Sequence, residues 1–364
     1  MRRALELAER GRGLTSPNPM VGAVVVAPGG EIVGEGVHLK AGGPHAEIEA
    51  LRAAGRHARG ATLYVTLEPC AHQGRTPPCT TRIVDAGVAR VVAPLVDPNP
   101  LVAGRGFEVL RRAAIEVTVG LLAEEAALQN RVFFTAMRER RPHVTLKAAM
   151  TLDGKIADAQ GASRWITGEP ARARAHRCRS EADAIVVGVT TVMRDDPELT
   201  VRLGEPWPRE PYRVALDTEG RTPPGARFIA AGDPARALVA VGAAAPEERV
   251  LPLQAAGATV VRCPTRDGRV DLGFLLGELF RRDVRGVLVE GGGEVHAAFL
   301  DAGLVDRVTV FLAPLLVGGR TAPSVVGGGG RELKSAVRLG PLTITPVGDD
   351  ILLEADVIRE PRGA

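Results

Sequence analysis

Four residues near the start of the chain have the types and spacing of a catalytic metal centre. His45 and Glu47 stand two residues apart in PHAEIEAL, and Cys70 and Cys79 belong to EPCAHQGRTPPC. Imidazole and thiolate are zinc ligands, and a catalytic zinc has three protein ligands and an open position for water. His45, Cys70 and Cys79 supply that number. Glu47 cannot share the ligand direction of His45, so we expect it to move protons as a general acid and base.

A closed structural zinc site is the alternative to a catalytic one. The pattern H-x-E followed by P-C-x-x-C is typical of zinc nucleobase deaminases, in which the glutamate is not a ligand. Pro69 precedes Cys70 as that pattern requires, but eight residues separate Cys70 from Cys79, where the pattern has about two. His72 lies between the cysteines and would be the fourth ligand of a closed structural site. A loop rich in Pro, Gly and Thr is a poor place to bury metal-free thiols.

Length and composition indicate a two-domain cytoplasmic protein. A chain of 364 residues is longer than one hydrophobic core usually holds. The net charge of +3 and the 3% aromatic content do not favour nucleic acid as a partner. No apolar run approaches the ~18 residues of a membrane span, so we expect no membrane partner. Four cysteines are too few for a disulfide framework, and Cys178 and Cys263 have the surroundings of inert core thiols.

Apolar periodicity predicts alternating strands and helices before residue 142, which is typical of an α/β domain. The predicted strands are 21–27, 31–38, 61–67, 88–96 and 115–120. The predicted helices are 1–13, 45–54, 80–87, 107–113 and 121–140. Pro142 ends the last helical pattern, so we predict domains at 1–142 and 143–364.

A second series of strands follows the boundary, and the C-terminal domain is therefore also predicted to be α/β. It opens with HVTLKAAM, and further strands are predicted at 184–189, 212–217, 237–242, 258–263, 286–291 and 307–313. One strand runs into Gly291, Gly292 and Gly293 and then into a helix. Glycines let backbone approach a phosphate, and a helix N-terminus offers N–H groups to it. A plain strand-to-helix turn has the same pattern, so both interpretations stay open.

Longer motifs in both halves resemble one known family. PNPMVGAVVV, PHAEIEAL, YVTLEPCAHQGRTPPC and DPNPLVAGRG resemble the deaminase half of the bifunctional riboflavin-biosynthesis deaminase/reductases, over about residues 1–140. TLKAAMTLDGKIA, SRWITG, EADAIVVGVTTVMRDDPELTVR and the glycine turn resemble the reductase half, over about 143–358. The resemblance implies a cytidine-deaminase-like α/β/α domain and a dihydrofolate-reductase-like α/β domain. It also implies Zn²⁺ and NADPH as cofactors.

The resemblance further implies two successive reactions. The first is hydrolytic loss of an exocyclic amine from a diaminopyrimidinone that carries a phosphoribosylamino arm, with Glu47 as the catalytic residue. The second is NADPH-dependent reduction of the ribosyl chain of the aminouracil product to a ribityl chain. The second step needs an acid, and Asp195 and Glu290 are both candidates.

Other site residues follow from the resemblance alone. The residues expected to contact the deaminase substrate are Asn18, His38, His72 and Arg75. The residues expected to line NADPH are Ala149, Trp165, Thr191, Asp195, Thr218, Gly292, Gly293, Glu294, Val295, His296, Ala297 and Ala298. The residues expected to line the reductase substrate are Ser163, Arg179, Leu199, Arg202 and Glu290. The competing interpretations are a turn residue for Asn18, a solvated charge for Arg75 and an exposed helical charge for Arg179.

Several alternatives remain at the level of sequence. Lys147 and Asp153 flank the predicted reductase site, and Lys147 either assists the chemistry or is a strand-end charge that faces solvent. The alternative function is a zinc nucleobase deaminase that acts on nucleic acid through a C-terminal binding module. A structural-zinc binding protein is a third interpretation. For the leading interpretation we expect small-molecule phosphoribosyl pyrimidine substrates and a homo-oligomer, either a dimer or a tetramer.

Overall fold

The chain divides into two compact units, Met1–Arg141 and Pro142–Ala364. The computed structural model describes residues 1–71 and 78–359. Each unit is built on its own β-sheet and has its own buried apolar core. Within the described residues, no helix combines the length and the apolar character that crossing a membrane requires.

The first unit is a mixed β-sheet with helices packed on it. Its strands are β1 (Gly22–Val26), β2 (Ile32–Val37), β3 (Thr62–Val65), β4 (Arg90–Ala93) and β5 (Glu116–Val119). Its helices are α1 (Arg2–Glu9), α2 (Ala46–Ala54), α3 (Cys79–Asp85), α4 (Arg105–Arg112), α5 (Ala123–Gln129) and α6 (Arg131–Glu139). The strand order is β2-β1-β3-β4-β5, antiparallel from β2 to β3 and parallel from β3 to β5.

Two glycines let α2 lie close to the sheet. A Cβ atom at Gly34 would lie 2.2 Å from the carbonyl oxygen of Ala50, and one at Gly36 would lie 2.1 Å from that of Ala46. Both distances are far shorter than van der Waals contact, so the approach requires glycine at these positions. The close packing fixes α2 against β2, and with it His45, which is the N-cap residue of α2.

The second unit is a larger, mostly parallel sheet. Its strands are β6 (His143–Thr151), β7 (Ala184–Gly188), β8 (Tyr212–Leu216), β9 (Ala237–Gly242), β10 (Thr259–Cys263), β11 (Thr265–Arg266), β12 (Arg269–Val270), β13 (Gly286–Gly291), β14 (Arg307–Ala313), β15 (Thr343–Val347) and β16 (Asp350–Asp356). Its helices are α7 (Glu169–Glu181), α8 (Val189–Asp195), α9 (Arg227–Ala230), α10 (Glu247–Ala255), α11 (Leu272–Arg281) and α12 (Gly293–Asp301). The order is β10-β9-β8-β7-β13-β6-β14-β16-β15, and β11 and β12 form a separate hairpin.

Both faces of this parallel sheet are covered. Ala184 and Val186 of β7 belong to one buried cluster, whereas Ile185 and Val187 belong to another, because successive side chains of a strand point to opposite faces. Strands β6, β7 and β13 run parallel, so their carboxyl ends meet at one edge. In open α/β sheets, ligands bind at this edge.

The strands of the second unit are well predicted by their apolar runs. The strands predicted at 237–242, 286–291 and 307–313 are confirmed with those bounds. The other predicted strands of this unit are also present, and their observed ends differ from the predicted ends by one residue. The last two strands, β15 and β16, were not predicted. β15 is exposed along most of its length, so it lacks the apolar run that marks a buried strand.

The predictions for two helices of the first unit were wrong. Residues 121–140 form α5 and α6 instead of one helix, because Asn130 leaves the helical conformation between them. Its side chain accepts a hydrogen bond from the Met20 N–H and donates one to the Met20 carbonyl. The helix predicted at 1–13 ends at Glu9, and Gly13 beyond it has a positive φ of 73°.

Candidate functional sites

Three of the predicted residues meet at one point in the first unit. His45 is the N-cap residue of α2, Cys79 is the first residue of α3, and Cys70 lies in the segment after β3. Their ligand atoms all lie within 4.8 Å of one another. Two of the three, His45 and Cys79, are therefore positioned by the N-terminal ends of helices.

The three ligand atoms are grouped closely enough to share a zinc ion. His45 Nδ1 lies 3.1 Å from Cys79 Sγ and 3.7 Å from Cys70 Sγ. Tetrahedral zinc, with bonds of about 2.0–2.1 Å to nitrogen and about 2.3 Å to sulfur, places such ligand atoms about 3.5–3.8 Å apart, so the Cys70 distance fits and the Cys79 distance must lengthen by about 0.4 Å when the ion binds. One imidazole and two thiols are also the donor set that zinc prefers. The residues present therefore fit the metal that the motifs predict.

The two thiols behave as a pair that shares one proton. A hydrogen bond from Cys79 lowers the pKa of Cys70 to about 4, and the His45 side chain contributes in the same direction. The same hydrogen bond and burial raise the pKa of Cys79. Zinc binds cysteine as thiolate, so a bound zinc ion would also displace the proton that the two thiols share.

Glu47 lies beside this group and is not one of the three ligands. It is 3% exposed, and burial raises the pKa of its carboxyl. The His45 charge and, to a smaller extent, the Cys79 side chain act on this pKa in the opposite direction. A buried carboxyl with a raised pKa next to a metal-binding group is suited to accept and return a proton near neutral pH.

Asn18 and His38 form a hydrogen-bonded pair next to the metal-binding group. Nδ1 of His38 lies 2.9 Å from the Pro44 carbonyl oxygen and therefore donates to it, which leaves Nε2 to accept from the Asn18 amide at 3.1 Å. The His38 ring meets the His45 ring edge-on, with centroids 5.3 Å apart. Two further residues expected to contact the deaminase substrate, His72 and Arg75, lie outside the described residues.

A buried carboxylate that the sequence did not reveal holds the segment of Cys70. Glu68 is 4% exposed and accepts four backbone N–H bonds, at 2.8 Å from Gly106, 2.9 Å from Gly104, 3.0 Å from Asp97 and 3.4 Å from Phe107. It thereby ties the loop 97–107 and the start of α4 to the end of β3. The signal that could have suggested it is the pair of glycines ahead of a helix, which leaves N–H groups for an anion.

The second unit contains a cavity of about 880 Å³ at the carboxyl edge of its parallel strands. Of the residues predicted to line NADPH, the cavity is lined by Ala149, Trp165, Thr191, Asp195, Gly292, Gly293, Glu294, Val295 and His296. Of those predicted to line the substrate, it is lined by Ser163, Arg179, Leu199, Arg202 and Glu290. Thr218, Ala297 and Ala298 are not part of this lining, and the Thr218 hydroxyl accepts the Val270 N–H.

Arg179 and Glu290 form a buried bidentate pair in the wall of the cavity. Nε and Nη2 of Arg179 donate to the two carboxylate oxygens of Glu290 at 2.7 and 2.8 Å. The Arg179 side chain is only 14% exposed, so the exposed-charge interpretation is wrong. Burial alone would raise the pKa of Glu290, but the charges on Arg179 and Lys147 hold it at about 2. Glu290 is therefore ionised and has no proton to donate near neutral pH.

Lys147 and Asp153, which flank the predicted reductase site in sequence, differ in whether they face the cavity. Lys147 lies within β6 and lines the cavity, with its ammonium 5.8 Å from the centre of the Phe311 ring, so it is not a strand-end charge facing solvent. Asp153 accepts the N–H groups of Val317 and Gly318 and thus joins two loops. Of the two, Lys147 alone is placed to meet a ligand in the cavity.

The cavity fits an extended anionic cofactor such as NADPH. Its volume is in the range typical of ligand sites, about 300–1,000 Å³. The first turn of α12 lies in its wall, and a helix N-terminus favours phosphate. His296 is 1% exposed and lines the cavity, and its Nε2 has no hydrogen-bond partner among the described residues. Arginines that the motifs did not single out also line it, namely Arg164, Arg172, Arg194 and Arg227.

Known proteins match both units. Residues 1–95 match the family described as the cytidine and deoxycytidylate deaminase zinc-binding region, and residues 142–353 match the RibD C-terminal domain. The riboflavin biosynthesis protein RibD of Actinobacillus pleuropneumoniae is 44% identical over 98% of this chain and 94% of its own length. That of Escherichia coli strain K12 is 42% identical over 97% of both chains. The chain belongs to the RibD family.

Solved structures agree with this membership. Acinetobacter baumannii RibD (form 1) is 39% identical, covers 98% of both chains and superposes with a TM-score of 0.89. A deaminase/reductase from Thermotoga maritima is 38% identical, covers 98% of this chain and 97% of its own, and has a TM-score of 0.84. The predicted fold class and bifunctional activity are thereby confirmed: this RibD-family protein is a deaminase and reductase of riboflavin biosynthesis. Its cofactors are zinc and NADPH.

Proposed function

We propose that the first unit deaminates the diaminopyrimidinone phosphate with His45, Cys70 and Cys79 as zinc ligands and Glu47 as the catalytic acid and base. The observation that carries this assignment is the convergence of the three ligand atoms within 4.8 Å, with the Glu47 carboxyl buried beside them. The three-residue set leaves room for a fourth, non-protein ligand, as in a catalytic site. Zinc supplies the Lewis acidity for hydrolysis of the amine.

The residues of the chain then handle the protons and the orientation. Glu47 takes a proton from the attacking water and returns it to the departing amine, and its raised pKa brings it nearer the operating pH. The Pro44 carbonyl keeps His38 in the tautomer that accepts from the Asn18 amide nitrogen, and this orients the amide so that its oxygen can accept from the pyrimidine. Arg75 remains the proposed partner of the substrate phosphate.

The Glu47→Gln variant tests this assignment. It should retain zinc, because Glu47 is not a ligand, and release ammonia about 10²–10⁴-fold more slowly, because the proton shuttle is lost. Reduction of pre-deaminated substrate should be unchanged. Glu49→Gln, on the same helix and paired with Arg52 at 2.6 Å, is the matched control and should keep full activity. Loss of zinc from Glu47→Gln would contradict the role given to Glu47.

We also propose roles for the cavity of the second unit. NADPH supplies the hydride, and the wall formed by Ala149, Thr191 and the start of α12 holds it. Arg179 is buried and engaged by Glu290 and the Thr200 carbonyl, so it shapes the wall. The Arg202 side chain is 55% exposed and pairs at the surface with Glu198 through Nη1, so we propose that it turns to the substrate phosphate. Both carboxylate oxygens of Glu290 accept from Arg179, so we propose Asp195, which also lines the cavity, as the acid.

The division of labour between the units follows from these assignments. Every proposed zinc ligand lies before residue 80, and every proposed reductase residue lies after residue 148. Residues 143–364, expressed alone, should therefore reduce the deaminated pyrimidine with NADPH and be insensitive to zinc chelators. A folded fragment that does not bind NADPH would contradict the assignment.

We further propose that the enzyme is a cytoplasmic homo-oligomer. All four cysteines are free, and the thiols of the metal site need a reducing compartment. Ile344 lies on the edge strand β15 beside Leu353 of β16 and is 62% exposed. A second copy of the chain would cover this exposed apolar side chain. Sedimentation of the intact protein should give a multiple of the single-chain mass, and Ile344→Lys should lower it.

A further inference from the structure

One face of helix α7 holds the segment of chain that carries the proposed substrate residues Leu199 and Arg202. Arg179 Nη1 donates to the Thr200 carbonyl at 3.0 Å. Three residues earlier on α7, the His176 ring accepts the backbone N–H of Arg202 at Nδ1, at 3.2 Å. Residues three apart on a helix share a face, so the two contacts fasten both ends of the segment 200–202 to α7.

Leu199 and Val201 of this segment are buried, so packing holds their side chains, whereas the Arg202 side chain is 55% exposed and its backbone depends on hydrogen bonding for support. Leu199 has a positive φ of 54°, which is uncommon for leucine. The Val201 N–H donates to Glu210 at 3.3 Å, and the Arg202 guanidinium lies beside Glu198 and Thr200, which belong to the same stretch of chain. His176 is thus the contact that ties the backbone of Arg202 itself to a helix.

The hydrogen bond sets the protonation state of His176. A backbone N–H donates, so Nδ1 must be an acceptor and the neutral ring carries its proton on Nε2. The charges that face the ring are those of Arg179, Arg202, Lys147 and Glu290. Burial and then the two arginines lower the pKa of His176 to about 4, so the ring stays neutral across the physiological range.

We propose that His176 is a positioning residue of the reductase site, which holds the backbone of Arg202 so that its guanidinium meets the phosphate of the substrate. The proposal rests on the reductase function proposed above and adds to it a residue that the family motifs did not single out. His176 acts through Arg202, so its contribution should appear in recognition of the phosphate and not in hydride transfer.

The test compares three variants of the full-length zinc- and NADPH-supplemented enzyme. His176→Leu keeps a side chain of similar volume but lacks the hydrogen-bond acceptor, and His176→Ala removes the acceptor and most of the side-chain volume. His176→Asn places an amide oxygen near the position of Nδ1, where it can accept the Arg202 N–H. With the deaminated pyrimidine phosphate, the first two should raise KM about fivefold, as expected for one backbone hydrogen bond, with kcat and the KM for NADPH changed by less than about twofold. His176→Asn should restore the wild-type KM. Arg177→Ala, an exposed neighbour on α7, is the control.

A dephosphorylated substrate separates positioning of Arg202 from a general structural role. If His176 acts through the phosphate contact, all four variants and the wild type should share one KM for this compound. The fivefold effect on the phosphorylated substrate should also be constant from about pH 6 to about pH 8, because the ring is neutral throughout.

Several results would overturn the proposal. These are an unchanged KM in both His176→Leu and His176→Ala, failure of His176→Asn to restore KM, and an equal loss with the dephosphorylated compound. An effect that grows as the pH falls would instead indicate direct phosphate binding by a charged ring. Ammonia release by the first unit reports separately that each variant is intact. Failure of the wild type itself to oxidise NADPH would count against the reductase function and not against the role of His176 alone.

Discussion

Replacing Glu68 with Gln should loosen the loop that supports the metal centre. Each carboxylate oxygen of Glu68 accepts two backbone N–H groups: one receives Gly106 and Phe107, the other Asp97 and Gly104. Glutamine keeps one acceptor oxygen and replaces the other with an NH₂ group, which donates. Two of the four backbone N–H groups would then face the NH₂ group of the glutamine instead of an acceptor. Water can hardly replace the lost acceptor, because the Glu68 side chain is only 4% exposed.

The expected magnitude follows from those two lost bonds. A buried donor left without its acceptor costs about 1–3 kcal/mol, so two of them cost about 2–6 kcal/mol. Unfolding free energies of whole domains are about 5–15 kcal/mol, so the loss is a substantial part of the stability of the first unit. Because Cys70 lies two residues beyond Glu68, we also expect zinc affinity to fall about tenfold.

Hydrogen exchange measured by mass spectrometry on the intact chain is the direct assay. Peptides that cover 97–107 should exchange faster in Glu68→Gln by the factor that corresponds to about 2–6 kcal/mol of opening free energy, while peptides from the second unit should be unchanged. Glu108→Gln is the matched control, because Glu108 forms only an exposed ion pair with Arg112. Wild-type exchange rates in this loop, together with wild-type zinc retention, would refute the reasoning.

Three further predictions concern the metal, the reductase acid and pH. Cys70→Ser should lower zinc content, whereas Cys178→Ser, at a partly buried thiol outside the metal group, should not; metal analysis distinguishes them. Glu290→Gln should raise the substrate KM about tenfold with kcat for reduction little changed, whereas Asp195→Asn should lower kcat for reduction, because it removes the proposed acid. The folded state lowers the pKa of His176 to about 4, so its contribution to stability is present above about pH 6.5 and is lost as the pH falls to about 4. Urea midpoints across this range should fall more steeply for wild type than for His176→Asn.

Residue types and spacing predicted most of the chemistry of the first unit. His45, Cys70 and Cys79 were assigned from ligand preference and count, and the structure brings their ligand atoms together. The grouping could be anticipated because donor chemistry belongs to the residue itself and does not depend on the path of the chain. Their roles, like those of the cavity residues, still await the experiments above.

The hydrogen bonds that support the sites could not be predicted from the sequence, because they form between segments that are distant along the chain. The backbone partners of Glu68 lie 29 to 39 residues downstream, and no local sequence pattern relates them to Glu68. Asn130 interrupts a continuous helical pattern because its side-chain amide forms two hydrogen bonds with the backbone of Met20, which is far away in sequence. His176 meets Arg202 only because the intervening segment folds back onto α7. In each case tertiary hydrogen bonds override or supplement local propensity.

The most direct test of the account is one incubation of the purified protein with the diaminopyrimidinone phosphate and NADPH, in which ammonia release and NADPH oxidation are followed together. We expect ammonia to appear first and one NADPH to be oxidised for each ammonia released. A zinc chelator should stop both signals, and adding the pre-deaminated substrate should restore NADPH oxidation alone. Oxidation of NADPH without prior ammonia release, or loss of reduction of the pre-deaminated substrate on chelation, would contradict two separate chemistries acting in this order.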